Sequence, residues 1–489
     1  MFTIPVRLRK LCVLGSISAV LYMLTALVFW TDAVFSQSDL IEVLLNLNVG
    51  LLTALYFAGI WTVRDSSTRI IVVFAIVFAL LGFVAGPFDS TDVFFYIAQG
   101  WHQSHYNGNP YSNVLRDIPS GDQDPMIASR WMALNRNPWL DEPMPYGFGF
   151  ALVTRTVAML GGGNWFVTLI LFNLINLIAH VTMSWLLWKT AALIPGVDPK
   201  LVLYLYTWSP LVVLQYLANV HNDIIMASLI VLAFYLLLKG RAAWALPALV
   251  GAGLVKHVAF ALTPFALIFL LRRFGWRVAV NAALISVLLA AGASLPYVWD
   301  FGSFKLQQVA VQLTESTGSL HSFMTFTYRA IARLVSSDPV HLGAFARSTG
   351  LLLWGVVAII TIYQFRRAWS GKRSSPYDIA ARWTSILFAV IFVGSSQFYI
   401  WYIGMVFPMA LLTAGRNRLS DVVVLLSGTH MLFNFLHGKA IGHFLLATAI
   451  PLLLLFFWWG RCLPVVKPGD GSIPSQQLSG NGHRKLLTS

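Results

Sequence analysis

The chain has 489 residues, of which 57% are hydrophobic and only 11% are charged. A soluble domain carries roughly 25% charged residues, so this composition and the long apolar runs predict an all-α polytopic membrane protein. The net charge of +14 could suggest a nucleic-acid partner. Most lysines and arginines, however, fall in short connectors on one predicted side, which is the positive-inside bias of a plasma or inner membrane protein.

The apolar runs predict about fourteen transmembrane helices with both chain termini in the cytoplasm. The first run, residues 11–30, resembles a signal peptide but lacks a convincing small-residue cleavage site, so we expect a retained span. We expect three N-terminal helices, a long outer loop with juxtamembrane helices, a transmembrane bundle, a second outer loop, C-terminal helices and a disordered cytoplasmic tail, at residues 1–87, 88–164, 165–299, 300–341, 342–460 and 461–489. Cys12 and Cys462 both fall near the predicted cytoplasmic face, where no disulfide is expected.

A polar stretch, FDSTDVFFYIAQGWHQSHYNGNPY, follows the third span, and after three crossings it lies outside the cytoplasm. Asp92, Tyr96 and Gln99 share one face of a predicted short helix, which a Gly- and Pro-containing turn ends. Asp92 can act as a general base. Asp89 either caps this helix or supports Asp92, and the two carboxylates could instead hold a divalent cation.

Other polar residues gather at the predicted outer ends of the spans. Lys256 and His257 lie where two short apolar segments meet, and a cation there either snorkels to the headgroups or reaches a phosphate. Asn222 either caps a descending helix or belongs, with its neighbours, to the wall of a cavity. The side-chain amide of Gln397 needs a hydrogen-bonding partner at its predicted depth in the membrane. The remaining candidates for lining a cavity or contacting a phosphate are His221, Asp223, Arg329, Tyr399 and Tyr402.

Neither a nucleotide nor a required metal is expected. The sequence contains no GxxxxGK[ST] phosphate loop and no Cys/His spacing typical of a metal site. A divalent cation between the carboxylates stays possible without being required. A site on the outer side would also face lipid-linked substrates rather than cytoplasmic nucleotide sugars.

The polar motifs, taken together, resemble those of GT-C superfamily glycosyltransferases, and in particular bacterial polyprenyl-phosphate-mannose-dependent α-mannosyltransferases. The motifs are Asp92-x-x-x-Tyr96-x-x-Gln99-Gly100, Gly108-Asn109-Pro110-Tyr111, Pro145-Tyr146-Gly147, Asn219-x-His221-Asn222-Asp223, Gly253-x-x-Lys256 and Gln397-x-x-x-Trp401-Tyr402. The sequence departs from the simplest family plan by placing three spans before the first loop. It also reads YGFGF where a proline often follows the glycine, which leaves the role of Tyr146 and Gly147 open.

The resemblance implies an inverting transfer on the outer face. The donor would be a polyprenyl-phosphate sugar, with mannose as the expected sugar, and the acceptor a lipid-linked or glycan molecule of the cell envelope, among membrane lipids. It maps the general base to Asp92. With that mechanism, the residues around the donor phosphate would be Lys256, His257, Arg329 and Gln397, and those lining the substrates would be Tyr96, Gln99, His221, Asp223, Tyr399 and Tyr402.

The alternative interpretation is a secondary transporter or a flippase of lipid-linked glycans. Such proteins usually place ionisable residues near the membrane midplane, often within repeated halves. Here the ionisable residues collect at the ends of the predicted spans, and no internal repeat is visible. The pattern therefore favours the transferase.

Overall fold

The computed structural model describes residues 6–31, 39–118, 124, 126–127, 138–305, 316–335, 341–370, 375–433 and 440–453. Within these ranges the secondary structure is helical, apart from isolated β-bridges that join Thr317 and Gly318 to Gln397. Cys462 and the predicted tail, residues 461–489, lie outside the described residues. The prediction of an all-α protein is confirmed for the described part of the chain.

The helices are named here in chain order. They are α1 (Val6–Trp30), α2 (Asp39–Val63), α3 (Thr68–Ala85), α4 (Asp92–His105), α5 (Phe148–Gly161), α6 (Trp165–Ala191), α7 (Pro199–Thr207), α8 (Asp223–Leu238), α9 (Ala242–Val255), α10 (Thr263–Phe274), α11 (Trp276–Val298), α12 (Leu320–Val335), α13 (Leu342–Ser370), α14 (Pro376–Phe388), α15 (Ile403–Leu411), α16 (Arg418–Leu432) and α17 (Ala440–Phe444). Segments of π-helix occupy Leu211–Ala218, Ala389–Gly394 and Leu445–Ala449, and short 3-10 helices occupy Leu115–Asp117, Pro138–Asp141, His257–Leu262, Phe301–Ser303 and Ile400–Tyr402.

Many of these helices are suited to a membrane. Among the described residues, eight segments are long and apolar enough to span one: Lys10–Val28, Leu40–Val63, Thr68–Ala85, Trp165–Ala191, His257–Phe274, Trp276–Val298, Leu342–Ser370 and Pro376–Gly394. Only 22% of the span in α11 and 17% of that in α13 are buried, so their apolar faces suit lipid rather than water. The chain is a polytopic helical membrane protein. The number of about fourteen spans and their sidedness stay predictions.

A bent helix leads to one of the polar turns. The helix α7 and the π-helical segment Leu211–Ala218 meet at an angle of 54°. Pro210 stands at the break and has no backbone N–H to continue the hydrogen-bond ladder. The second half ends at Asn219, directly before His221 and Asp223. The bend therefore brings the end of this helix to the start of α8.

The predicted helix after the third span is confirmed as α4, and it packs against α5. An added Cβ on Gly100 would lie 2.2 Å from the backbone oxygen of Thr154, so glycine is required for this close approach. The hydroxyl of Tyr297, on α11, donates to Gln103 Oε1 over 2.9 Å. These contacts bury α4 within the protein instead of leaving it as a solvated connector.

The turn after α4 is also held in place by contacts with neighbouring side chains. Burial lowers the pKa of His102 to about 4, so the imidazole is neutral at neutral pH. The ring lies against Gly108, where an added Cβ would approach His102 Nε2 to 1.7 Å. Further along, Lys305 Nζ donates to Asp117 Oδ2 over 2.6 Å and holds the pKa of that carboxyl below its usual range. The loop thus has a defined path beside α11.

Candidate active site

Asp92 begins α4 and faces a histidine from the turn before α8. Asp92 Oδ2 lies 3.4 Å from His221 Nδ1, and the Asp92 side chain is 16% exposed whereas that of His221 is fully buried. The imidazole stacks on Trp401, with ring centroids 3.9 Å apart and planes 15° from parallel. Neither ring nitrogen of His221 has a hydrogen-bond partner within the described structure. The stack therefore orients a buried imidazole toward a partly accessible carboxylate.

Asp89 does not cap α4, so that expectation is wrong. The N-cap position belongs to Thr91, whose own side chain makes no capping hydrogen bond. Ser90 Oγ instead accepts a hydrogen bond from the backbone N–H of Asp92 at 3.3 Å. The Asp89 carboxylate accepts one from Gln215 Nε2 at 3.4 Å. Asp89 thus links the start of α4 to the π-helical segment before His221.

Lys256 and Asp223 form an ion pair. Lys256 Nζ donates to Asp223 Oδ1 over 2.7 Å, with side-chain exposures of 16% and 1%. The ammonium lies 4.4 Å from the ring centroid of Tyr402, a distance typical of a cation–π contact. Asp223 Oδ2 is buried and has no hydrogen-bond partner among the described residues. The cation is therefore held in place by a carboxylate and an aromatic ring, and does not simply snorkel to the headgroups.

Tyr96 is buried close to the carboxylates of Asp92 and Asp223. It is 1% exposed, and its hydroxyl lies 3.3 Å from that of Tyr146. Burial, followed by the negative charges of Asp92 and Asp223, raises the pKa of Tyr96 well above its ordinary value. The phenol therefore stays neutral and can donate a hydrogen bond between the carboxylates.

Tyr146 reaches this position because Gly147 lets two backbones come together. The backbone N–H of Gly147 donates to the Val255 oxygen over 3.1 Å, next to Lys256. An added Cβ on Gly147 would lie 2.3 Å from the Leu254 oxygen. Tyr146 is further held by Tyr111, whose hydroxyl donates to its backbone oxygen over 3.0 Å. The segment thus joins the loop after α4 to the end of α9.

We expect Gly147→Ala to destabilise the protein by about 1–3 kcal/mol, because the new methyl group must push the backbone of α9 away. The matched control is Gly251→Ala on α9, where an added Cβ meets only Leu229 and Leu289 at 3.8 and 3.9 Å. Alanine there favours the helix and is expected to leave the unfolding midpoint equal or higher. Thermal unfolding in detergent measures both, and a Gly147→Ala midpoint equal to that of the parent would contradict the packing argument.

Most of the predicted site residues come together, and three do not. Tyr399 joins the cluster through Trp401, with ring centroids 4.7 Å apart and planes 6° from parallel. His257 is exposed, and its ring lies 6.5 Å from that of Phe260. Arg329 is on α12, and no hydrogen bond or ion pair joins it to Asp92 or Lys256 in the described structure. Gln397 belongs to the β-bridge with 317–318.

Gln99 lies deeper in the protein than the sequence suggests. The sequence also did not predict the roles of several other residues at the site. Gln99 is 0% exposed, and neither atom of its amide has a hydrogen-bond partner among the described residues. The stacking role of Trp401 and the amides of Gln215 and Asn219 were not predicted. Their contacts join segments far apart in the chain, and no local spacing signals them.

The fold and the site define a polytopic helical membrane protein in which an aspartate–histidine contact and a lysine–aspartate ion pair lie beside buried aromatic side chains. A family model described as "Alpha-(1->6)-mannopyranosyltransferase, N-terminal domain" matches residues 11–272. The match covers more than half of the chain, and the chain belongs to this family. Asp92, His221, Asp223 and Lys256 all lie inside the matched region.

A curated relative supports the same assignment. The chain is 26% identical over 338 residues to alpha-(1->6)-mannopyranosyltransferase A of Mycobacterium tuberculosis. The aligned region covers 64% of this chain and 62% of that protein. The chain therefore spans less than two thirds of the length of this relative.

Proposed function

We propose that the protein transfers a mannosyl residue from a polyprenyl monophosphate donor to a cell-envelope glycolipid or glycan, with inversion and with formation of an α-(1→6) linkage. The observation that carries this proposal is that the Asp92–His221 contact and the Lys256–Asp223 ion pair both lie within the region that the family model matches. The family description supplies the mannose and the linkage, and the motif resemblance supplies the donor class.

Asp92 is the general base of the proposed reaction. The oxygen of the acceptor hydroxyl attacks the anomeric carbon while Asp92 takes its proton. The new carbon–oxygen bond forms as the bond from the anomeric carbon to the phosphate oxygen breaks, and the polyprenyl phosphate leaves with the electron pair. His221 lies beside the proposed base, with its Nδ1 3.4 Å from Asp92 Oδ2, and forms the buried wall of this part of the site.

Lys256 stabilises the leaving group. Charge builds on the phosphate oxygen in the transition state, and a fixed cation there lowers the barrier. The ammonium is held by Asp223 and Tyr402, so little reorganisation is needed when the phosphate arrives. The neutral Tyr96 hydroxyl can donate a hydrogen bond to a sugar or phosphate oxygen.

The site is proposed to face the extracytoplasmic side of a plasma or inner membrane. This sidedness rests on the basic residues of the short connectors, which the positive-inside rule places in the cytoplasm. It agrees with a lipid-linked donor, whose apolar chain stays in the bilayer while its sugar phosphate reaches the surface. The short apolar helices α5, α8 and α9 would complete the spans around the site.

The test uses purified protein in lipid nanodiscs. We expect label to move from polyprenyl-phosphate mannose, but not from a nucleotide-linked mannose, to a mannosylated acceptor, and the product to be cleaved by an α-1,6-specific mannosidase. The control omits the acceptor. Passage of the donor across proteoliposome membranes without any covalent product would overturn the proposal in favour of a flippase.

A further inference from the structure

Two buried amides join the segment before α4 to the turn that carries His221. Asn219 Oδ1 accepts hydrogen bonds from the backbone N–H groups of Phe88 and Asp89, at 3.1 and 3.2 Å. Asn219 Nδ2 donates to Gln215 Oε1 over 3.0 Å, and Gln215 Nε2 donates to the Asp89 carboxylate. Asn219 is 0% and Gln215 1% exposed, so loss of either amide leaves buried groups without partners. These four hydrogen bonds are called the amide clamp below.

The turn beside the amide clamp has a strained backbone. Val220, between Asn219 and His221, has a φ of +61°, which a β-branched residue rarely adopts. Such a conformation persists only where the surroundings enforce it. From the other side, Asn176 Nδ2 donates to the His221 oxygen over 3.0 Å. The orientation of His221 therefore depends on hydrogen bonds made by neighbouring side chains, and not on the preference of the turn itself.

We propose that Asn219 and Gln215 are positioning residues that set the distance between Asp92 Oδ2 and His221 Nδ1. The inference rests on the proposed function, in which Asp92 removes the acceptor proton. Asn219 holds the backbone just before Asp92 through its oxygen and adjoins the His221 turn through its own backbone. The carboxamide at this position accepts from two N–H groups while it donates to a third partner. Neither amide touches a reacting atom.

Asn219→Leu is the sharpest test, because leucine has the same branching as asparagine and can neither accept nor donate. It leaves the N–H groups of Phe88 and Asp89 without their acceptor. A displacement of about 1 Å between catalytic groups can cost about 100-fold in rate. We therefore expect kcat to fall about 30-fold or more, while binding of a non-transferable mannosyl-phosphate lipid stays within about 3-fold, because Lys256 is untouched.

Two further variants separate positioning from stability. Asn219→Asp keeps the accepting oxygen and loses the donor to Gln215, so its kcat is expected between those of the parent and Asn219→Leu. The matched control is Asn48→Leu, which removes another buried amide, one that donates to the Leu21 oxygen over 3.0 Å and to Thr25 Oγ1 over 2.7 Å. Asn48 lies on α2, away from the site, and the control is expected to keep kcat within about 2-fold of the parent.

Hydrogen exchange provides a readout that does not depend on activity. In the parent, the backbone amides of Phe88 and Asp89 donate to Asn219, which slows their exchange with solvent. We therefore expect residues 88–91 to exchange faster in Asn219→Leu and at the parent rate in Asn48→Leu. Three results would overturn the proposal. They are unchanged exchange in Asn219→Leu, a kcat of this variant within about 3-fold of the parent, and equal losses of kcat in the leucine and aspartate variants. If the parent protein transfers no mannose, both the proposed function and this role of Asn219 and Gln215 are wrong. If the parent is active and the kcat of Asn219→Leu is unaffected, only the positioning role is wrong.

Discussion

Asp92→Asn is expected to lower the rate of mannosyl transfer by about 100-fold to 10,000-fold, the range that a positioned general base contributes. Asparagine keeps the shape of the side chain and its position at the start of α4, but it cannot take the acceptor proton. Donor binding should therefore change little. The measurement is transfer of labelled mannose by purified protein, together with direct binding of a non-transferable donor.

The matched control for this prediction is Asp300→Asn, an aspartate outside the cluster, which we expect to retain parent activity. The activity of Asp89→Asn should fall between those of the other two variants, because an amide oxygen accepts more weakly from Gln215 than a carboxylate does, while Asp92 stays in place. If Asp92→Asn kept activity within a few-fold of the parent, the assignment of the base would be wrong. If Asp89→Asn lost as much as Asp92→Asn, the separation of the two acids would be wrong.

Lys256→Met is expected to lower activity by about 100-fold or more and also to destabilise the protein. The loss of activity follows from the missing cation at the leaving phosphate. The loss of stability follows because the buried Asp223 carboxylate is left without its partner, which costs roughly 3–5 kcal/mol in such pairs. Thermal unfolding and transfer rate are measured on the same preparation.

A double variant separates these two effects. Lys256→Met with Asp223→Asn removes both charges, so we expect much of the stability to return while activity stays low. Lys305→Met serves as the control, because its partner Asp117 is 51% exposed and such surface pairs contribute only about 0.2–1 kcal/mol. Recovery of activity in the double variant would show that Lys256 is structural and does not serve the phosphate.

The sequence anticipated the local parts of the site. Asp92, Tyr96 and Gln99 were placed on one helix, and α4 confirms that helix. The interruption at Lys256 was also predicted correctly, since α9 ends at Val255 and a 3-10 turn follows. These features follow from spacing and apolar run length, which act over a few residues and can be recognised without knowledge of the fold.

The sequence did not anticipate which distant groups meet. His257 and Arg329 were predicted beside Lys256 at the donor phosphate, yet of these three residues only Lys256 reaches a carboxylate of the cluster in the described structure. Asp89 fitted a capping pattern, but Asn219 and Gln215 engage it in the structure. A side chain at a helix end can point to several neighbours, and only the packing of the helices decides among them.

The sequence by itself therefore determined the class of protein, the helix that carries Asp92 and the break at Lys256, because hydrophobic patterning and turn chemistry are local. The tertiary structure alone decided that His221 stacks on Trp401 and faces Asp92, and that Gln215 and Asn219 hold the two segments together. These contacts depend on a bent helix and on glycine-mediated backbone approaches such as that at Gly147. Distances of this kind are set by the packing of many residues at once, which local patterns do not encode.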